Sequence, residues 1–358
     1  MGQDDLVAAR TPIRRALYVG LLVLLGLAAV EAFCRVAERI TDVLLGPFEI
    51  DAVPDVLGFE PHHEIGHLDL VTYANQGGYN GAFVPPSRRP GTFRVAVLGD
   101  SFTFGWGVQP EQAWPALLEA RLDAGLAPTG LDAEVLNFGV PGYNTWLQLL
   151  HWRRVVSRYA PDAVLLGYYS NDAVIDRRVP NVYSLCPLEA PWGAAWFAAA
   201  QEVSAAVRVA HDLYWVAKTG SPLAPWSGPD VLRPEHFGFA CSMEWASQLA
   251  ADVEATGASF AVVQLPHMED LDDAMDPERE AQKRLALGLT TRGISQQDLY
   301  PDLAGLAPEA VSNADKHPNV AGNVAILQAL WPVTGQWLLA QGLALASGES
   351  GARAPVEH

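Results

Sequence analysis

Hydrophobic and polar positions divide the chain into two parts. Residues 16–33 form an apolar run that only Glu31 interrupts, and a helix of about 20 apolar residues is long enough to span a membrane. Beyond Pro90, short apolar runs alternate with stretches whose apolar residues recur at helical spacing, which is typical of a parallel sheet with crossover helices. The pattern predicts one N-terminal helix followed by an α/β domain.

The α/β part contains apolar runs short enough to be strands. The run at residues 162–168 is apolar almost throughout, which indicates a strand buried on both faces. Strands and helices in βαβ order predict a three-layer α/β/α sandwich around a central parallel sheet, over residues 91–345. The predicted strands are 94–98, 134–138, 162–168, 259–265 and 293–298, and the predicted helices are 111–124, 146–159, 242–256 and 319–341.

Three other segments lie outside this alternation. Residues 46–90 are rich in Pro, Gly and His, which predicts a loop-rich lead-in with a short hairpin. Residues 173–241 contain several Pro and Trp residues and two cysteines, and we interpret them as an insertion in the domain. It either covers the C-terminal edge of the sheet as a lid or packs away from that edge. Residues 346–358 are expected to form a disordered tail.

The N-terminal run has three interpretations. Arg10, Arg14 and Arg15 precede it, which favours a cytoplasmic N-terminus and an exported body. We expect residues 1–45 to be a short cytoplasmic tail and a single-pass membrane anchor. The alternatives are a signal peptide cleaved after Ala32 and, less consistent with the basic flank, a buried core helix. Both membrane interpretations place the body in an extracytoplasmic space, the periplasm or the cell surface.

Composition narrows the possible partners. A formal net charge of −18 argues against nucleic acid as a binding partner, because binding phosphate backbones needs clustered Lys and Arg.

Cys186 and Cys241 flank the insertion and form either a disulfide or two separate buried thiols. Three histidines of the lead-in lack matching carboxylate spacing, so we expect an exposed loop there, no metal and no cofactor. These histidines are His62, His63 and His67.

Small polar motifs follow three predicted strands and precede the last predicted helix. A serine hydroxyl attacks a carbonyl when one group removes its proton and others stabilise the oxyanion that forms. A histidine is suited to the first task, since its pKa is ordinarily near 6.5. The motifs are Gly99-Asp100-Ser101, the stretch from Asn137 to Tyr143 containing Gly142, Ser170-Asn171-Asp172, and Asp315-Lys316-His317.

These motifs supply a complete set of roles. Ser101 is the expected nucleophile and His317 the expected base, with Asp315 holding the imidazole in the productive tautomer. The oxyanion hole is expected from the backbone N–H groups of Ser101 and Gly142 and from the side-chain amide of Asn171. Gly142 suits this position because backbone without a β-carbon can approach a substrate closely. Asp100 and Asp172 are interpreted as structural residues near the site.

Over residues 91–341 the motifs resemble the four signature blocks of the SGNH (GDSL-type) hydrolase superfamily. The stretch Phe102-Thr-Phe-Gly-Trp-Gly-Val108 also resembles its membrane-anchored bacterial members. The resemblance implies the α/β/α sandwich and the same roles for the residues named above. One departure concerns the acid: the commonest family spacing places it where Ala314 stands, and Asp315 lies one residue closer to the histidine. Asp302 or Asn313 can substitute only if the loop bends unexpectedly.

Three functions are compatible with these residues. The first is a serine esterase that cleaves an ester, with acyl or acetyl esters of small molecules or glycans as substrates, through an acyl-enzyme. The second is an extracytoplasmic O-acetyltransferase that acts on a cell-envelope or exported polysaccharide. The third is an inactive domain that binds glycan or protein, which the complete set of motif residues disfavours.

Overall fold

The computed structural model describes residues 19–36, 64–67, 70–73, 80–173, 200, 204–207, 209–210, 237–269, 271 and 277–348. These residues divide between two compact units. One unit contains the N-terminal helix and residues 200–210 where described, and the other contains the hairpin of the lead-in and the α/β domain. Outside the described residues lie His62, His63, Cys186, the predicted tail beyond residue 348 and the four tryptophans of the insertion. These tryptophans are Trp192, Trp196, Trp215 and Trp226.

The first unit is organised around helix α1, Val19–Val36. This helix is long and apolar enough to cross a membrane, judged by its length and composition alone. Its Glu31 side chain accepts hydrogen bonds from Ser204 Oγ at 2.8 Å and from the backbone N–H groups of Ala205 and Ala206 at 2.9 and 3.1 Å. The one polar residue within the predicted run therefore contacts a segment far along the chain.

The second unit contains the predicted parallel sheet. Before it, the short hairpin expected in the lead-in is present as β1, Glu64–His67, and β2, Leu70–Tyr73. Within the described residues, the strands of the parallel sheet are β3 Thr92–Gly99, β4 Asp132–Gly139, β5 Ala163–Tyr168, β6 Ser259–Gln264 and β7 Gln296–Asp298. Their order across the sheet is β4-β3-β5-β6-β7, and all neighbouring strands are parallel. Every residue of β3, β5 and β6 is buried, as their almost continuous apolar sequences predict.

Helices cover both faces of this sheet, so the predicted three-layer α/β/α sandwich is confirmed. In chain order after α1, the helices are α2 Ser101–Phe104, α3 Trp114–Leu126, α4 Thr145–Arg154, α5 Phe237–Ala255, α6 Pro277–Thr290, α7 Tyr300–Leu303, α8 Pro308–Val311, α9 Val320–Leu330 and α10 Gln336–Ser347.

The two faces of the sheet bury different helices. On one face, side chains of β3, β5 and β6 form a single core with α3, α9 and α10. On the other face, the Phe138 ring of β4 meets His151 of α4 edge-on, and Tyr168 of β5 shares a 2.8 Å hydrogen bond with Ser242 of α5. Alternate residues of one strand thus serve opposite layers, as the period-2 geometry of a strand requires.

Several elements differ from the sequence predictions. The last helix begins as expected but continues to Ser347, two residues into the predicted tail, through a π turn at Trp331–Gly335. Pro332 lies in this turn and has no N–H to donate, which explains the local change in hydrogen bonding. Helix α6 is absent from the prediction, and β7 is only three residues long. Cys241 takes part in a disulfide, whereas Cys34 is a free thiol.

A buried arginine joins the N-terminal ends of the sheet strands. The Arg94 side chain is fully buried and pairs with Glu134 on the neighbouring strand at 2.8 Å. The same guanidinium donates to the backbone carbonyls of Tyr159 and Pro86 at 2.8 and 2.9 Å. Glu134 also pairs with Arg89, whose side chain is 66% exposed. The two arginines share one carboxylate but differ in burial.

This difference predicts unequal effects on stability. We expect Arg94→Met to lower the free energy of unfolding by about 3–5 kcal/mol, because it leaves the buried Glu134 charge without its buried partner. Arg89→Met is the matched control and should change the denaturation midpoint little, since solvent already screens that pair. Urea titrations of both variants measure the effect. Equal losses in the two variants would contradict this account.

Candidate active site

Ser101 begins a four-residue helix directly after β3. Asp100 caps this helix, because its Oδ1 accepts the backbone N–H of Phe102 at 2.9 Å. Gly105 ends the helix in a left-handed conformation with φ +88°, which favours glycine. The turn leaves the Ser101 side chain at the C-terminal edge of the sheet, where open α/β folds bind ligands.

Three glycines at strand ends let this turn sit directly on the sheet. A β-carbon on Gly99 or Gly167 would lie 2.1 or 2.2 Å from Thr103 Oγ1, and one on Gly139 would lie 2.4 Å from the backbone nitrogen of Phe104. Real β-carbons do not approach other atoms this closely. The ends of β3, β4 and β5 therefore need glycine for the turn that presents Ser101.

The contacts predict a specific rescue. Gly167→Ala should destabilise the protein by about 1–3 kcal/mol through overpacking against Thr103 Oγ1. Adding Thr103→Ala should restore part of that loss, because the next nearest atoms to the new β-carbon are 3.4 Å away. Gly139→Ala is the control: its β-carbon meets the backbone, so Thr103→Ala should not rescue it. Thermal melts of the two single and two double variants measure this, and equal rescue in both pairs would contradict it.

The structure brings Ser101 and His317 together although 216 residues separate them. His317 Nε2 lies 2.8 Å from Ser101 Oγ, and His317 Nδ1 lies 2.8 Å from the backbone carbonyl oxygen of Asp315. A carbonyl oxygen only accepts hydrogen bonds, so Nδ1 carries the proton in the neutral ring and Nε2 is free to accept one. The ring thus has the tautomer that a base for Ser101 requires.

Asp315 contacts the imidazole in an unexpected way. The sequence predicts that the side chain of Asp315 orients His317, but its Oδ2 lies 3.8 Å from Nδ1, beyond hydrogen-bond distance. The backbone carbonyl of the same residue takes the hydrogen bond instead. The carboxylate accepts the indole N–H of Trp106 at 3.1 Å. The closer Asp-x-His spacing is the physical reason, since it brings the main chain of the acid to the ring.

Asn313 shapes the loop that carries the histidine. Its Oδ1 accepts the backbone N–H groups of Asp315 and His317 at 2.9 and 3.1 Å. Asn313, one of two possible substitutes for Asp315, therefore holds the backbone of the loop; Asp302, the other, lies in α7. Between Asp315 and His317, Lys316 has a left-handed backbone with φ +64° and pairs with Glu269 at 2.7 Å. These contacts fix the direction in which His317 leaves the backbone.

The two residues expected to complete the oxyanion hole occupy neighbouring loops at the same edge. Gly142 lies in the turn after β4 with φ +78°, a conformation that favours glycine. Asn171 follows β5, and its side-chain amide donates a hydrogen bond to the Asp100 carboxyl. An amide nitrogen carries two hydrogens, so one remains for a substrate oxygen. Asn171 Oδ1 is buried and has no hydrogen-bond partner among the described residues.

Two carboxyl groups are fully buried beneath these loops. Burial raises the pKa of Asp100, although hydrogen bonds from Phe102 and Asn171 partly oppose the shift. Burial and the neighbouring charge of Asp100 raise the pKa of Asp172 well above its usual range. Asp172 accepts the backbone N–H of Tyr169 at 2.7 Å and the Gln148 side-chain amide at 2.6 Å. These contacts fit the structural roles expected for both aspartates.

Aromatic rings lie close to His317, and the sequence patterns alone predict no role for them. Phe102 lies 5.1 Å and Trp106 6.3 Å from the imidazole, measured between ring centroids. Tyr169 stacks on Phe102 at 4.0 Å. His267 lies 4.8 Å from Tyr169, and its Nε2 is 2.6 Å from Ser170 Oγ. Trp106 lies in the stretch 102–108 that resembles membrane-anchored family members, and Tyr169 directly precedes the Ser170 motif, so both positions carried a sequence signal.

The sequence of this chain matches a known protein family. The model of the GDSL-like lipase/acylhydrolase family matches residues 97–325, which include every site residue named above. The chain belongs to this family. A curated relative is an arylesterase from Vibrio mimicus, 33% identical over 81 residues, which are 23% of this chain. The aligned segment spans 38% of that protein's length.

Solved structures of esterases also match at low identity. Esterase EstA from Pseudoalteromonas sp. is 16% identical, with 69% of this chain and 98% of that chain covered and a TM-score of 0.41. An acetylxylan esterase from Geobacillus stearothermophilus is 16% identical, with 67% and 92% covered and a TM-score of 0.41. The expected membership of the SGNH (GDSL-type) superfamily is confirmed by the family match.

Proposed function

We propose that the protein is a serine esterase in which Ser101 attacks the carbonyl carbon of an ester and His317 is the base. The observation that carries this proposal is the 2.8 Å contact between Ser101 Oγ and His317 Nε2, with Nδ1 held by the Asp315 carbonyl. A nucleophile within hydrogen-bond distance of a base that a third group orients is the arrangement that serine nucleophiles need.

Acylation follows from these positions. As Oγ forms a bond to the carbonyl carbon, its proton moves to Nε2, and the carbonyl oxygen becomes an oxyanion. The backbone N–H groups of Ser101 and Gly142 and the free hydrogen of the Asn171 amide are the proposed donors to that oxyanion. The C–O bond to the alcohol then breaks, and the alcohol takes the proton from Nε2. The acyl group remains on Ser101.

Deacylation repeats the sequence with water. Water gives a proton to Nε2 while its oxygen attacks the acyl carbon. The bond between that carbon and Ser101 Oγ then breaks, and the proton returns from Nε2 to Oγ. The carboxylic acid leaves. No metal or other cofactor takes part in the proposed reaction.

An acyl ester, such as an acetyl ester, is the proposed substrate class. The arylesterase relative supports an ester as the substrate. The motifs alone do not determine whether water or a sugar hydroxyl attacks the acyl-enzyme. An O-acetyltransferase acting on exported polysaccharide uses the same residues. Incubation with an acetyl donor ester and an oligosaccharide, followed by mass spectrometry, separates the two: free acetate supports the esterase, and acetylated oligosaccharide supports the transferase.

The residues should contribute unequally to hydrolysis. We expect Ser101→Ala and His317→Ala each to lower kcat/KM for p-nitrophenyl acetate by about 1000-fold or more. Asp315→Asn should lower it by only about tenfold, because the backbone carbonyl that holds Nδ1 remains. Steady-state kinetics across the three variants measure this.

Two results would contradict this proposal. Unchanged turnover by Ser101→Ala would remove Ser101 as nucleophile, provided that the parent protein is active. A loss in Asp315→Asn as large as that in His317→Ala would mean that the carboxylate and not the carbonyl orients the imidazole. Labelling of the parent protein, but not of Ser101→Ala, by a fluorophosphonate probe is an independent check.

We also propose that helix α1 is retained as a membrane anchor, with the catalytic domain outside the cytoplasm. Signal cleavage after Ala32 would remove Glu31, the acceptor for Ser204 Oγ and for the N–H groups of Ala205 and Ala206. Ala205 is buried, so loss of the carboxylate would leave its N–H without that partner in a buried environment. The contact supports a helix that stays with the folded protein.

Retention of the helix is directly measurable. We expect the mature protein to remain in the membrane fraction after a carbonate wash, with an intact mass that includes residues 1–32. The Glu31→Ala variant should keep the anchor but expose the 204–206 segment to faster amide hydrogen exchange. A soluble mature protein that begins at Phe33 would contradict the anchor.

A further inference from the structure

Trp106 lies between the nucleophile turn and the histidine loop. Its backbone N–H donates to the carbonyl of Ser101 at 3.1 Å, and its carbonyl accepts the Asn313 side chain at 3.4 Å. Its indole N–H donates to Asp315 Oδ2 at 3.1 Å. One residue therefore contacts both the segment that carries the nucleophile and the segment that carries the base.

The same carboxylate oxygen faces the indole and the imidazole. Asp315 Oδ2, which accepts the Trp106 N–H, is the atom that lies 3.8 Å from His317 Nδ1. The Asp315 side chain is 54% exposed, so water hydrogen-bonds to the carboxylate whenever its hydrogen bond with the indole breaks. The backbone carbonyl holds the imidazole ring without help from this carboxylate. What the carboxylate adds at 3.8 Å is a negative charge beside the ring.

We propose that Trp106 is a positioning residue whose indole N–H keeps the Asp315 carboxylate beside His317, where its charge favours the protonated imidazole that forms during the reaction. This inference rests on the proposed esterase function and deepens it. Without the indole, the exposed carboxylate turns into solvent and its attraction for the imidazolium is screened. Asn313 and the Asp315 carbonyl still hold the histidine, so its contact with Ser101 persists.

Other charged and titratable groups lie near His317, and substitution of Trp106 leaves them in place. Asp100 interacts electrostatically with the imidazole from beneath the nucleophile turn, and Asp172 lies next to Asp100. The other such groups that the structure describes on the loops of this edge include Lys316 with its partner Glu269, His267 with its partner Ser170, and Tyr169.

The test is a double-substitution cycle with Trp106→Phe and Asp315→Asn. In each single variant, the acid limb of the kcat/KM–pH profile should move to lower pH by about half a pH unit, because the neutral base is favoured once the charge is lost. In the double variant, the limb should move no further than in Asp315→Asn alone, since Trp106 acts through Asp315. Trp337→Phe, the same change in α10, is the control and should leave the limb in place.

Histidine NMR gives a readout that does not depend on turnover. The midpoint of the His317 ring Cε1–H titration should move in the same direction as the acid limb in both single variants. An unchanged midpoint in Trp106→Phe, or an additional shift of equal size in the double variant, overturns the proposal. If either of these results is found and Ser101→Ala is inactive, the esterase function is still supported and only the role of Trp106 is rejected.

A second measurement needs no substitution of Trp106. In the unsubstituted protein, the indole N–H resonance of Trp106 should shift as the solution is acidified, since protonation weakens the carboxylate as an acceptor. The shift should be lost in Asp315→Asn. An indole resonance that responds to pH equally in both proteins overturns the proposal, even if Trp106→Phe does not fold.

Discussion

The site depends on how closely one four-residue helix approaches the ends of three strands. Gly99, Gly139 and Gly167 remove the β-carbons that would collide with Thr103 and the backbone of Phe104, so the turn rests on the sheet itself. With the turn in place, Asp100 reaches the N–H of Phe102 and the amide of Asn171. The position of the nucleophile is thus set by the absence of side chains at the strand ends as much as by contacts of its own.

Burial of charge beneath the loops is the second constraint. Asp100 and Asp172 are both inaccessible to solvent, and each accepts backbone and side-chain amide hydrogen bonds. Their mutual repulsion is tolerated because these donors come from three separate segments that must all be correctly placed. The pair therefore links the nucleophile turn, the loop after β5 and α4 into one polar network beneath the loops of the site.

Much of this architecture was predictable from sequence because parallel strands bring their carboxyl ends to one edge. Apolar runs located β3, β4, β5 and β6 to within two residues at each end, and the small polar motifs after three of them predicted where chemistry would lie. Helix α6 was missed because charged residues dominate its first two turns, although its apolar residues recur at the spacing of an amphipathic helix. The carbonyl role of Asp315 and the contact of Trp106 were also missed, since both depend on loop conformation, which residue identity does not encode.

Glu31 has a consequence for the order in which the chain is made. Its hydrogen-bond donor Ser204 lies 173 residues further along, so during synthesis the helix emerges long before its partner exists. Until then these donors do not exist, and the carboxylate must be hydrated by water. Completion of the 204–206 segment supplies the protein donors. Helix α1 therefore gains these hydrogen bonds only after the chain has been extended by the 173 residues that separate Glu31 from Ser204.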